Sequence, residues 1–159
     1  MQEDTPSSPK DGERPRATFH MTRLHRIGNV LITPLIRAGL VCGSYLLTTR
    51  GRKTGQLRTT PVTLVERDGK QWLVAPYGAV PWVLNARAAG TVSLQRRGRP
   101  RRYSVREVSA TEAGPVLKNY VRIARPTRPY FSATVDAPAE QFAAEAERHP
   151  VFALEALPD

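Results

Sequence analysis

The stretch Ser44-Tyr45-Leu46-Leu47-Thr48-Thr49-Arg50-Gly51-Arg52-Lys53-Thr54-Gly55-Gln56-Leu57-Arg58-Thr59-Thr60-Pro61-Val62-Thr63-Leu64-Val65 decides the fold of this chain. Its two ends are apolar and β-branched, which favours strands at Tyr45–Thr49 and Arg58–Glu66. Val62 and Leu64 alternate with Thr63 and Val65 in the second run. Between them, Arg52, Lys53 and Arg58 crowd around Gly51 and Gly55. Glycine lets the backbone turn tightly and brings its N–H groups close to an anion, and the cations add charge-assisted hydrogen bonds. A phosphate or polycarboxylate is the natural guest of such a loop. A basic turn that only faces solvent is the plain alternative for an isolated G-R-K-x-G.

Outward from this hairpin the β pattern continues. Asp68-Gly69 is a two-residue turn signal leading into the strand Gln71–Ala75. Pro81–Ala89 reads as a short helix, with Pro81 in its first turn and Gly90 after its end. Thr91–Leu94 and Arg102–Arg106 read as strands joined by a turn at Gly98. Thr111–Ile123 fits a helix capped by Ser109 or Thr111, with Val116, Leu117, Tyr120 and Val121 as its apolar stripe. A Pro- and Arg-rich loop spans Arg125–Tyr130, a further helix is expected over Pro138–Arg148, and Val151–Leu154 reads as a closing strand. Many short strands and few helices suit a mainly β (α+β) Greek-key barrel.

The start of the chain differs. Residues 1–18 hold Pro6, Pro9, Pro15 and mixed charges, the composition of a disordered tail. Residues 19–40 place Phe19, Leu24, Ile27, Leu31, Leu35 and Ile36 at helical spacing among Arg23, Arg26 and Arg37, with Pro34 as a kink. Such a helix packs on the barrel or lies on an anionic membrane surface. The barrel domain is expected over 41–159.

The chain has 159 residues, a one-domain length, and 40% hydrophobic residues are enough for a core. A net charge of +10 favours anionic partners without choosing among them. The single cysteine, Cys42, excludes an internal disulfide and fits a reducing, cytoplasmic setting. No run approaches the ~18 apolar residues of a membrane span. His20, His25 and His149 lack metal-ligand spacing, and no G-x-G-x-x-G follows a strand, so neither a metal site nor a Rossmann dinucleotide site is expected.

A second segment, Ala75-Pro76-Tyr77-Gly78-Ala79-Val80-Pro81-Trp82-Val83-Leu84-Asn85-Ala86-Arg87, adds to the cationic loop. Together the two resemble the deazaflavin-dependent nitroreductase family, split β-barrel oxidoreductases that use coenzyme F-420. The matching positions are Thr49, Gly51 to Gly55, Arg58, Pro61, Trp82, Asn85 and Arg87, and the likeness runs on through Arg128-Pro129-Tyr130-Phe131 and His149-Pro150-Val151-Phe152. The chain departs from the pattern at Ala86, where leucine is usual, and in a short loop before Trp82.

The resemblance implies a split β-barrel and a hydride transfer from reduced deazaflavin to a quinone, enone or nitroaromatic acceptor. It implies that Arg52, Lys53 and Arg58 grip the phosphate and acidic tail, that Thr54 donates a hydroxyl, and that Gly51 and Gly55 permit the turn. Ala75, Pro76, Tyr77 and Gly78 with Trp82 would line the ring pocket, Asn85 and Arg87 would face the coenzyme, and Tyr130 would contact the acceptor and assist protonation. Split barrels of this kind commonly pair, so a homodimer is an expectation. An FMN-dependent reductase on the same barrel is less favoured. A non-catalytic carrier of a fatty acid or haem is the alternative of another class. A nucleic-acid binder is not expected, because the cluster Arg96, Arg97, Arg99, Arg101 and Arg102 lacks interleaved aromatics for stacking.

Overall fold

The computed structural model describes residues 43–158. Six antiparallel strands close into a barrel in the order β1-β2-β3-β6-β5-β4. They are β1 (Ser44–Arg50), β2 (Leu57–Arg67), β3 (Lys70–Val74), β4 (Thr91–Gln95), β5 (Arg101–Glu107) and β6 (Val151–Ala156). The first four lie in the order β4-β1-β2-β3, which is a Greek key. The long β2 serves two neighbours, with Leu57–Thr63 on β1 and Leu64–Arg67 on β3. Asp68 at φ 51° and Gly69 at φ 73° make the left-handed turn that reverses β2 into β3.

Helix α1 (Pro81–Ala89) leads from β3 to β4 and sends Val83 and Ala86 into the barrel. There they meet Leu47, Leu64, Leu73, Val92, Leu94, Tyr103 and Phe152. The neighbouring positions Val65, Val74 and Val151 point outwards and are buried beneath α2 (Ala110–Ile123). Several strands are therefore apolar on both faces, which explains why Val65 departs from the polar side of the alternation. Ser109 caps α2 by accepting the Glu112 N–H at 3.3 Å, and Val116, Leu117, Tyr120 and Val121 form its buried stripe.

Two elements differ from their sequence expectation. The loop Arg125–Tyr130 is a 3-10 helix, in which Thr127 donates its hydroxyl to the Ala124 carbonyl at 2.7 Å. The helix expected over Pro138–Arg148 is α-helical only as α3 (Ala139–Ala143). Beyond it the bonds tighten to i→i+3, from Glu145 N to Phe142 O at 3.0 Å and from Ala146 N to Ala143 O at 3.1 Å. That tightening turns the Glu145 carboxylate onto the N–H groups of Ser132 and Ala133. A tertiary demand thus overrides the local propensity. The expected segments 1–18 and 19–40 lie outside the described residues.

Candidate functional site

The loop from Gly51 to Gln56 closes on itself. The Gly55 N–H donates to the Gly51 carbonyl and the Gly51 N–H to the Gln56 carbonyl, each at 2.8 Å. Gly55 sits at φ 70°, a left-handed conformation that glycine adopts without strain. At Gly51 a Cβ would come within 3.0 Å of Thr54 Oγ1 and 3.1 Å of the Gln56 carbonyl, so a larger residue there would crowd the turn. Arg50 steadies the rim through Nη1 to the Gly55 carbonyl at 3.2 Å.

Across 33 positions of sequence, Asn85 on α1 latches this loop. Its Oδ1 accepts the Arg52 backbone N–H at 3.1 Å and Arg52 Nη1 at 3.4 Å. Its Nδ2 donates to Thr49 Oγ1 at 3.3 Å. Asn85 and Thr49 are both buried, so the latch works where water competes least. The cations remain outside it. Among the described residues, none of Arg52, Lys53 and Arg58 is paired with a carboxylate. Arg58 only reaches Gln56 Oε1 at 3.5 Å.

The other expected residues fall into two groups. Trp82 is half-buried against Phe152, with ring centroids 6.0 Å apart, and lies three residues before Asn85 on α1. Arg87 lies on another face of α1 and makes a bidentate pair with Glu107 on β5, at 2.8 Å and 2.6 Å. That bond raises the Arg87 pKa further, and the structure does not bring Arg87 to the loop.

Ala75–Gly78 forms a buttressed turn between β3 and α1. The Ala75 N–H donates to Pro150 O at 2.9 Å, and the Gly78 N–H donates to Ala75 O at 3.2 Å. Tyr77 and Tyr130 meet edge to face at 4.8 Å. Burial, and then Tyr130 beside it, raises the Tyr77 pKa, so this phenol keeps its proton at neutral pH and remains a donor. Two buried residues that were assigned no role from the sequence, Glu145 and His149, lie beneath this turn. His149 reaches Pro76 O through Nδ1 at 2.9 Å, and Glu145 Oε2 lies 3.4 Å from His149 Nε2. In the sequence they stand among Glu140, Glu147 and Arg148, so nothing local separates this buried pair from solvated charges.

Residues 26–137 match the F-420H(2)-dependent quinone reductase family. The chain belongs to that family. Among solved structures, an F-420-H2 dependent reductase (FDR-A) is 30% identical, with a TM-score of 0.51, over 72% of this chain and 95% of the other. A domain-swapped dimer is 28% identical with a TM-score of 0.53, over 79% of this chain and 95% of the other. The heme storage protein HutZ from Vibrio cholerae, 10% identical at a TM-score of 0.50 over 80% of this chain and 92% of the other, shares the fold alone. The protein is an F-420-dependent reductase of quinone-type acceptors on a split barrel.

The residues present fit that coenzyme. The loop offers cations that pair with no carboxylate among the described residues, on a tight glycine turn, as an anionic phosphate and acidic tail require. Deazaflavin supplies the hydride chemistry, which explains why the reductase has no obvious catalytic dyad. Among the described residues no helix is long and apolar enough to cross a membrane, and no group of side chains is built to hold a metal ion.

Proposed function

We propose that this family member binds F-420 through the Gly51–Arg58 loop and reduces a quinone on the side of Tyr77 and Tyr130. Arg52, Lys53 and Arg58 hold the phosphate and acidic tail, Thr54 adds a hydroxyl, and Asn85 fixes the direction of Arg52. Trp82 and the Ala75–Gly78 backbone form the wall of the ring pocket. Tyr77 and Tyr130 present phenols to the acceptor oxygens, and a protonated phenol there stabilises charge as hydride arrives. Enones and nitroaromatics share the same need for an electrophilic π system with a hydrogen-bonded oxygen, and they extend the acceptor class.

The observation that carries this reading is the latch. A buried asparagine on α1 ties down the backbone of a loop whose own cations have no carboxylate partner among the described residues. A solvent-facing turn needs no such anchor. The cellular setting proposed is cytoplasmic, with residues 19–40 available for peripheral membrane contact. Homodimer formation is supported by the domain-swapped dimer among the related structures.

The test is turnover of a soluble naphthoquinone with reduced F-420, against reduced FMN in parallel. Oxidation of F-420 that depends on quinone and saturates in both substrates is expected. Turnover with FMN alone would overturn the coenzyme assignment, and failure with every quinone, enone and nitroaromatic would overturn the acceptor class.

A further inference from the structure

The Tyr77–Tyr130 wall stands on a buried polar pair that takes no direct part in the site. Tyr77 follows Pro76, whose carbonyl lies 2.9 Å from His149 Nδ1. A carbonyl only accepts, so His149 carries its proton on Nδ1 and donates. Tyr130 precedes Phe131, which stacks on the His149 ring at 4.0 Å and 27°. The next two backbone N–H groups, of Ser132 and Ala133, donate to Glu145 at 3.0 Å and 2.6 Å. Glu145 Oε2 also lies 3.4 Å from Arg148 Nη2 and from His149 Nε2. Glu145 and His149 are each only 4% exposed. A carboxylate so buried is costly unless its oxygens are matched, and here both are.

We propose that Glu145 and His149 are positioning residues that hold the acceptor wall together. His149 fixes the β3–α1 turn and Glu145 fixes the segment after the 3-10 helix. One side chain therefore sets Tyr77 and its neighbour sets Tyr130. The inference rests on the reading of these tyrosines as the acceptor side. It adds that their spacing is determined by groups that never touch the acceptor. The Gly51–Arg58 loop is anchored separately, through Asn85, so disturbing the pair should spare coenzyme binding.

The experiment compares His149→Leu, His149→Asn and Glu145→Gln with the wild type by steady-state kinetics with a naphthoquinone, by F-420 affinity, and by amide hydrogen exchange on the coenzyme-free protein. In His149→Leu, kcat/KM for the quinone is expected to fall by roughly tenfold or more, since a displacement of about 1 Å can cost up to about a hundredfold. The F-420 Kd should change by less than about threefold, because its anchors are elsewhere. His149→Asn keeps a donor near the position of Nδ1 and should recover most of the loss. Glu145→Gln keeps one acceptor oxygen, is expected to fold, and should speed exchange at Ser132 and Ala133 without affecting Gly78. Exchange at Gly78 and Val80 should quicken in His149→Leu. Equal impairment of the leucine and asparagine variants, wild-type quinone kinetics in both, or unchanged exchange at Gly78 and Val80 in His149→Leu would overturn the proposal. A wild-type protein that turns over no acceptor overturns the reductase reading instead, and the exchange arm then decides the positioning role by itself.

Discussion

Lys53 and Arg58 are where the account meets single side chains. Each is exposed and free of an acidic partner among the described residues, so neither stabilises the fold through an ion pair. Replacing either by alanine should leave the melting temperature close to that of the wild type. The F-420 Kd should rise by about tenfold or more, since a hydrogen bond to a charged group contributes roughly 1.5–3 kcal/mol and 1.4 kcal/mol is tenfold. Calorimetry with thermal melting separates the two effects. Asn85 should behave in the opposite way. Asn85→Leu leaves the buried Thr49 hydroxyl and the part-buried Arg52 N–H without their partner, at a cost of about 1–3 kcal/mol of stability. It should also weaken coenzyme binding, because Arg52 loses its anchor. Arg87→Ala should change F-420 affinity by less than about twofold and stability by less than about 1 kcal/mol, as expected for an exposed ion pair. At this scale the sequence was informative about residue type and silent about direction. Asn85 and Arg87 sit two apart on one helix, and only the register of α1 on the barrel shows that one reaches the loop and the other reaches Glu107. Glu145 and His149 were illegible for the same reason, because their partners lie on segments distant in the chain.

Local signals located most of the elements. Pro81 and Gly90 bound α1 as read, and Gly90 takes the left-handed conformation at φ 67° with its N–H on Ala86 O at 2.8 Å. Asp68-Gly69 placed the β2–β3 turn. The helix after Pro138 was overextended because the tightening past Ala143 answers Ser132 and Ala133, which no local pattern announces. Close packing between α2 and α3 was likewise invisible. At Gly114 a Cβ would come to 2.5 Å from the Ala139 carbonyl and 3.1 Å from Ala143 Cβ. Alanine normally favours a helix interior by about 1 kcal/mol over glycine, but overpacking costs about 1–3 kcal/mol. Gly114→Ala should therefore lower the denaturation midpoint rather than raise it. An increase would mean that α3 is less firmly seated than its contacts indicate.

The whole molecule responds to pH through His149. Burial pulls its pKa below the ordinary value, against the opposing pull of Glu145 and the Pro76 carbonyl. The unfolded chain takes up a proton near pH ~6.5, while the folded form resists doing so until lower pH. The contribution of the neutral, buried ring is therefore complete above about pH 6.5 and is lost as pH falls through the folded value. The urea midpoint should decrease between about pH 7.5 and 5.5, and His149→Leu should reduce that difference. The barrel itself was legible from alternating strands and turn signals. Its closure was not, because the pairing of β4 with β1 and of β3 with β6 joins segments far apart in the chain.

The central claim is that the Gly51–Arg58 loop holds a deazaflavin. Titration of the protein with oxidised F-420, followed through its tryptophans with FMN in parallel, tests it most directly, since Trp82 lies on the same helix as Asn85, which forms the latch. Saturable quenching by F-420 alone, weakened by about tenfold or more in Lys53→Ala, is the predicted result. Preference for FMN, or an F-420 affinity unchanged by Lys53→Ala and Arg58→Ala together, would contradict it.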